Sequence, residues 1–402
     1  MPQKILITDA YSTMTLSFLK SLANENYDIF VGGSSNRSLT FYSRYAKNKV
    51  VYPSYLKDID GFISSIAESS IRNSIDYIIP LSESSIEILS GTEMKFGAAR
   101  VVSAPRNSIE IAMDKSLLCI LASELGICYP KTLPIDSRSF SRFLNDKYLK
   151  SQLKDASLNF PLILKWAKSE RIVNNRIMVN ERTRYFVTFD ELAYFIKRFS
   201  YSDKNVLLQE FVSGQGYGCS GLAKNGEARV LFCHKRIRES TPTGGPSAVA
   251  EAVHPFDDIV EPARAIVKAL NWFGPFMLEF KKNRDHNYLI EMNGRLWGSY
   301  PLAIKAGLNI PLLFIKMIEG NDFREYEYQV GVRGRWFWSD VKSLYLSVKG
   351  KPKSWPGQFP PRSRMILDFV RDTFDRRTFM IDFDICDPLP FMARLLARNI
   401  KR

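Results

Sequence analysis

Phe276-Met277-Leu278-Glu279-Phe280 and Tyr288-Leu289-Ile290-Glu291-Met292-Asn293-Gly294-Arg295, separated by the polar stretch 281–287, decide how this chain reads. Two β-rich runs around a short polar loop predict a hairpin, and pairing centred on Asp285 sets Glu279 opposite Glu291. Side chains alternate along a strand, so Glu291, Asn293 and Arg295 project to the same face. Two carboxylates and an amide oxygen suit a hard divalent cation, and magnesium takes one or two carboxylates together with substrate phosphates. Like charges directly opposed in a hairpin are destabilising, and a bound cation supplies a reason to keep them. A solvated hairpin accounts for Glu279 alone, but less well for the whole set amid apolar neighbours.

Upstream, Lys115 follows Asp114 at the start of an expected helix, and Lys165 closes the apolar run Phe160 to Leu164. A lysine at a strand end reaches a phosphate as a point charge. Val206 to Gly214 is an apolar strand that turns polar at Gln209 and Glu210 before a glycine. Such a segment can present backbone groups to an adenine edge while apolar side chains line the ring pocket. Gly216 to Gly221 satisfies G-x-G-x-x-G, but strands around Asn225-Gly226 follow it rather than a helix, so a glycine-rich turn is expected there and not a dinucleotide cradle.

The first hundred residues alternate short β-rich runs (4–8, 28–32, 49–52, 76–80, 100–103) with helical stretches (13–24, 59–70, 84–92), the pattern of a parallel sheet with crossover helices. No glycine occupies the first turn, 8–13, which disfavours NAD. Ligands of open α/β sheets lie beyond the carboxyl ends of the strands, so Asp9, Ser82 and Glu83 are candidate substrate contacts, with helix capping as the competing role. From about 113 to 320 the pattern becomes α+β.

The 402 residues are 45% hydrophobic and 24% charged, the make-up of a folded, multi-unit chain, and no apolar run approaches the roughly 18 residues of a membrane span. Five scattered cysteines without C-x-x-C and an N-terminus without a signal pattern point to a reducing cytoplasm. The three histidines are too far apart for a local zinc motif. The net charge of +14 favours an anionic partner, and residues 331–402 carry 15 basic against 7 acidic side chains, an excess of +8. Within that segment, Leu389 to Ile400 with Arg394, Arg398, Lys401 and Arg402 fits an amphipathic surface helix, making an anionic membrane a candidate partner and the inner membrane surface an alternative location. Trp336, Trp338 and Trp355 form no stacking motif, so nucleic acid ranks last.

In this order, the elements resemble the ATP-grasp superfamily of carboxylate-amine and carboxylate-thiol ligases, which includes the carbamoyl phosphate synthetase and D-alanine ligase groups. The resemblance implies an α/β, Rossmann-like pre-ATP-grasp domain at 1–112, an α+β ATP-grasp domain with lobes at 113–205 and 206–325, and a basic C-terminal extension at 326–402. It implies ATP and magnesium, with manganese as a substitute, acting on a small-molecule carboxylate and an amine or thiol through an acyl phosphate; homo-oligomerisation is left open. Lys115 and Lys165 take the phosphate-binding lysine positions, and Gln209, Glu210 and Val212 the adenine-binding hinge. Glu279, Glu291 and Asn293 are the magnesium ligands, with Arg295 the arginine of the E-x-N-x-R signature. Arg236, in the basic run 234–239 before the glycine loop 241–247, is implied as an anion contact. The chain departs from the pattern after Lys165, where 166–171 contain no glycine, and at Gln215, where the family often places an acid near the ribose.

Overall fold

The computed structural model describes residues 2–180, 183–198, 205–321 and 326–396. Strands β1 (Gln3–Ile7), β2 (Tyr27–Gly33), β3 (Asn48–Val51), β4 (Tyr77–Ile79) and β5 (Arg100–Val101) form a parallel sheet in the order β3-β2-β1-β4-β5. Helices α1 (Thr13–Ser21), α2 (Ile59–Asn73), α3 (Glu83–Gly91) and α4 (Arg106–Met113) surround it. Every strand and helix expected here is present. Ile5, Leu6 and Ile7 are all fully buried because both faces of the central strand are covered. Ile5 and Ile7 join a core with α1, while Leu6 joins one with Phe62 and Ile66 of α2.

A second unit contains α5 (Lys115–Glu124), β6 (Thr132–Ile135), α6 (Asp146–Asp155), β7 (Leu162–Trp166), β8 (Glu170–Val173), β9 (Arg176–Val179), β10 (Arg184–Phe186), α7 (Phe189–Arg198) and β11 (Val206–Glu210). Its sheet runs β10-β7-β11-β6 and is antiparallel. Thus Val206–Glu210, assigned from sequence to the start of the second lobe, is hydrogen-bonded into the middle of the first-lobe sheet. The glycine-free stretch after Lys165 enters the β8–β9 hairpin, turned by Asn174 and Asn175 at φ 49° and 59°. Asparagine tolerates this left-handed geometry, so the turn needs no glycine. The hairpin is docked on the N-terminal domain: Ile177 is buried in the α2 core, Asn175 Nδ2 donates to Asp60 (3.0 Å) and Lys168 Nζ to Glu87 (3.1 Å).

The third unit comprises β12 (Gln215–Lys224), β13 (Glu227–Glu239), β14 (Ser247–Val253), α8 (Asp257–Ala269), β15 (Gly274–Lys282), β16 (Asn287–Asn293), α9 (Tyr300–Lys305), α10 (Ile310–Ile318), β17 (Arg333–Arg335), α11 (Phe337–Lys349), α12 (Arg362–Phe374), β18 (Thr378–Met380) and α13 (Leu389–Leu396). Its seven-stranded sheet runs β16-β15-β12-β13-β14-β17-β18. The segment 326–402 therefore contributes two strands to the main sheet. Residues 216–221 lie inside β12, correcting the expectation of a glycine-rich turn; the turn falls at Asn225-Gly226, with φ 53° and 76°.

The tail differs from a free surface helix. Phe391 of α13 stacks on Trp338 (centroids 6.1 Å apart), and Asp387 just before it accepts from Ser43 (2.6 Å) and meets Lys20 (3.1 Å). The helix is thus turned onto its own chain; Arg398, Ile400, Lys401 and Arg402 lie outside the described residues. Among the described residues, no helix is long and apolar enough to cross a membrane. Trp336 and Trp355 are buried.

Candidate active site

The β15–β16 register pairs Met277 with Asn293, Leu278 with Met292 and Glu279 with Glu291, the opposition expected from the hairpin centre. A bulge follows, so that Phe280 pairs with Leu289 and Ile290 is the extra residue. The bulge lies on the turn side of the glutamates and leaves their register intact.

Across β12, Gly216 and Gly218 clear a lane for two side chains of β13. A Cβ on Gly216 would lie 3.0 Å from Arg236 Cδ, and one on Gly218 would lie 2.2 Å from His234 Cε1. Arg236 reaches over this lane to form an ion pair with Glu279; its Nη1 also donates to Gly245 O (3.2 Å) and Glu239 Oε1 (3.4 Å). The glycine pattern therefore serves cross-strand packing rather than phosphate binding.

Lys115 opens α5, capped by Asp114, and its Nζ lies 3.5 Å from Glu291 Oε2. Lys165 Nζ donates to Gln209 Oε1 (2.8 Å), and Gln209 Nε2 donates to Thr132 Oγ1 (2.8 Å). Burial pulls the Lys165 ammonium down to about 8; Glu291 opposes the shift, while Lys115 and Lys281 add to it. Burial also pushes Glu291 up, but Lys115, Lys165, Arg236 and Arg295 together outweigh it and hold this carboxyl below its usual range. Glu279 moves the other way: burial, aided by the charges of Glu291 and Glu239, raises it despite Arg236. Asn293 is 8% exposed and its amide nitrogen is buried without a partner, a polar group left for a ligand to satisfy.

The hinge side chains are partly committed to the protein itself. Glu210 Oε1 accepts from Lys131 N (2.8 Å), Val212 is buried, and Gln215 donates to Arg236 O. Phe211 packs edge-on against Trp355 (5.2 Å) of the C-terminal segment, and so does Tyr185 of β10 (4.9 Å).

Arg295 lies beyond the end of β16 and pairs with Glu83 of the N-terminal domain (3.1 Å). Together with Tyr11, Ser82, Lys115, Ser169, Glu170, Glu291 and Asn293, these two line a cleft of about 400 Å³ between the N-terminal sheet and the hairpin. Asp9 has a structural role instead. At φ 67° and 1% exposure, its carboxylate accepts from Thr8 Oγ1 (2.5 Å), Ser85 Oγ (2.6 Å), Tyr55 Oη (2.8 Å) and Ser82 N (3.0 Å). Ser82 caps α3 and also borders the cleft.

Sequence reading missed Lys281 near Lys165 and left His234 as a core or surface residue rather than a ligand, and the core is where it lies. Lys281 stands two residues after Glu279, so strand alternation could have found it. His234 is 1% exposed, its Nε2 faces Ser299 Oγ (3.2 Å), and burial, helped by Arg236, pulls the imidazole down to about 3. The folded protein holds it neutral while the unfolded chain protonates near 6.5, so stability is whole above pH 6.5 and falls toward pH 3 by up to about 1.4 kcal/mol per pH unit. Comparing unfolding of wild type and His234→Gln between pH 7 and 4 should show a flatter slope in the variant; equal slopes would remove the assignment.

Opposed glutamates on a hairpin, a strand lysine on the facing sheet and a segment linking the two sheets match the arrangement expected from the resemblance to the ATP-grasp superfamily. Residues 202–337 match the family described as ATP-grasp in the biosynthetic pathway with Ter operon, and solved structures of ligases and carboxylases share the chain's fold. N5-carboxyaminoimidazole synthetase from Staphylococcus aureus superposes with a TM-score of 0.61 at 12% identity, over 82% of this chain and 81% of that one. Biotin carboxylase from Campylobacter jejuni gives 0.61 at 15% identity, over 83% and 74%, and L-amino acid ligase from Bacillus licheniformis gives 0.57 at 14% identity, over 78% and 73%. No curated protein matches the sequence.

Proposed function

We propose that this protein is an ATP-dependent ligase that activates a small carboxylate as an acyl phosphate and joins it to an amine or thiol. The observation that carries this reading is the direct opposition of Glu279 and Glu291, with Asn293 beside them, inside a ring of Lys115, Lys165, Arg236 and Arg295. Two carboxylates and an amide fit magnesium, which draws its other ligands from phosphates and water. Three solved structures with similar folds contain ADP, one of them as its magnesium salt. Glu279, Glu291 and Asn293 would hold the magnesium, which would supply neutralisation of phosphate charge.

The chain's own residues account for the rest of the chemistry. Lys115 and Lys165 offset charge on the transferring phosphoryl group, and the hinge at 209–212 receives the base. A substrate carboxylate oxygen attacks the γ-phosphorus, the bond to the β–γ bridging oxygen breaks, and ADP leaves. The nucleophile then attacks the acyl carbon, the carbon–oxygen bond to phosphate breaks, and the nucleophile's proton passes to solvent. Arg295, at the cleft between the hairpin and Glu83, orients the acyl phosphate.

The direct test is ADP release with panels of carboxylic acids with and without amines. ADP formation that depends on both supports the ligase. Formation that requires bicarbonate instead would favour a carboxylase-type reaction, and none with any acid at millimolar magnesium would overturn the reading. A second expectation follows from Lys165, whose protonated form binds phosphate. ATP affinity of the free protein should fall as pH rises through about 8, and Lys165→Arg should flatten that profile. A wild-type KM for ATP that is constant from pH 6.5 to 9.5 would take Lys165 out of the phosphate site.

A further inference from the structure

The basic excess of residues 331–402 is sorted by the fold. Of the seven acidic residues there, Asp340 and Asp372 are buried against arginines, Asp375 pairs with Arg333 and Arg377, Asp382 accepts from Phe337 N, and Asp384 and Asp387 take Lys20. Beside the arginines of α12, Asp368 is shared between Arg364 and Arg371, and the buried Asp372 lies 3.8 Å from Arg371. Most of the acids are spent inside the unit together with Arg333 and Arg335, and the arginines of α12 are left outside.

On α12 the same outer surface carries large apolar side chains. Ile366 (49% exposed), Leu367 (67%), Val370 (49%) and Phe374 (81%) have no cover among the described residues. At 100° per residue these four span an arc of about 100°. Arg362 lies about 40° to one side of the arc, and Arg371 and Arg364 about 40° and 60° to the other. Met365 and Asp372, on the opposite side, are buried. An apolar stripe with arginines on both flanks, on a helix already folded against its domain, is the pattern of an element lying in a lipid interface.

We propose that the outer face of α12 docks the protein on an anionic lipid surface, with Leu367 and Phe374 entering the headgroup boundary and Arg362, Arg364 and Arg371 meeting lipid phosphates. Charge and side-chain type select this occupant. A second copy meeting this face about a two-fold axis would set the same arginines against each other. Nucleic acid would find branched aliphatic side chains where stacking rings are needed. The face is separate from α13, whose Phe391 is turned onto Trp338.

The test is cosedimentation of the full chain with vesicles of equimolar phosphatidylglycerol and phosphatidylcholine at low salt. Binding is expected, at least ten-fold weaker on pure phosphatidylcholine. Leu367→Ser with Phe374→Ser should weaken it ten-fold or more while leaving the melting midpoint and any ADP-forming activity unchanged. A separate Arg362→Ala, Arg364→Ala, Arg371→Ala variant keeps the apolar stripe and should lose roughly a hundred-fold, at about five-fold per cation near the surface. Absence of binding at low salt, or binding indifferent to both variants, would overturn the proposal. So would light scattering that shows the stripe variant dissociating a dimer, or stripe-dependent binding to polyglutamate or duplex DNA in place of vesicles.

Discussion

Glu291→Gln is expected to lower ATP turnover about a thousand-fold while leaving the fold intact. Three losses coincide at this position. The hairpin keeps only Glu279 as a carboxylate for the metal, and that one is already ion-paired with Arg236. Lys115 loses its partner at 3.5 Å. Lys165 loses the negative charge that opposes its desolvation, so its ammonium drops further below about 8 and less of it is charged near neutrality. The variant should therefore show a second signature beyond lost turnover: the fall in ATP affinity with rising pH should move to lower pH. Isothermal titration with ATP at several pH values measures that shift, and ADP release measures turnover. Wild-type turnover, or an unmoved pH profile, would show that Glu291 neither holds the metal nor supports Lys165. Because the surrounding cations hold Glu291 below its usual range, its charge is net stabilising in the fold, and the melting midpoint of the variant should be equal to or somewhat below that of wild type.

Asp340→Ala should destabilise the third unit by about 3–5 kcal/mol, the cost of leaving buried charge uncompensated. Asp340 is fully buried and takes two arginines: Arg238 through Nε (2.7 Å) and Nη2 (2.9 Å), and Arg335 through Nε (2.7 Å). Burial alone would lower the Arg238 pKa, but Asp340 and Asp372 hold it above its ordinary value. Arg335 is 2% exposed and has its guanidinium 4.2 Å from the centroid of Phe369, so it has no route to solvent. A melting midpoint lowered by on the order of 10 °C is expected. Asp340→Asn should lose less, since the amide oxygen still accepts one donor. A change below about 1 kcal/mol would mean that the cluster relaxes to admit water. Arg238 lies two residues from Arg236 on β13, so the Arg236–Glu279 ion pair of the proposed ATP site should loosen along with the cluster.

The candidate site was legible wherever chemistry and local geometry coincide. Glu279 faces Glu291 because a short loop fixes the hairpin centre and a period of two carries the register back to it. The parallel N-terminal sheet was equally plain, since strands covered on both faces read as continuous apolar runs. Long-range pairings were not legible. Val206–Glu210 is nearly continuous in sequence with β12, yet its hydrogen bonds go to β7 and β6. Arg236 meets Glu279 only because β12 lies between β13 and β15, with glycines where their side chains cross. The tail's charge was visible, but its placement was not.

By itself, the amino-acid sequence determined the parallel N-terminal sheet and the opposition of Glu279 and Glu291, because each depends on local patterning whose period dictates a shared face. The tertiary structure alone decided how those pieces meet. It set Glu83 against Arg295 and Asn175 against Asp60, and it paired Asp340 and Asp372 with buried arginines while leaving the arginines of α12 at the surface. The physical reason is that burial and charge pairing are settled by sheet order and packing, which bring together side chains separated by tens to hundreds of residues.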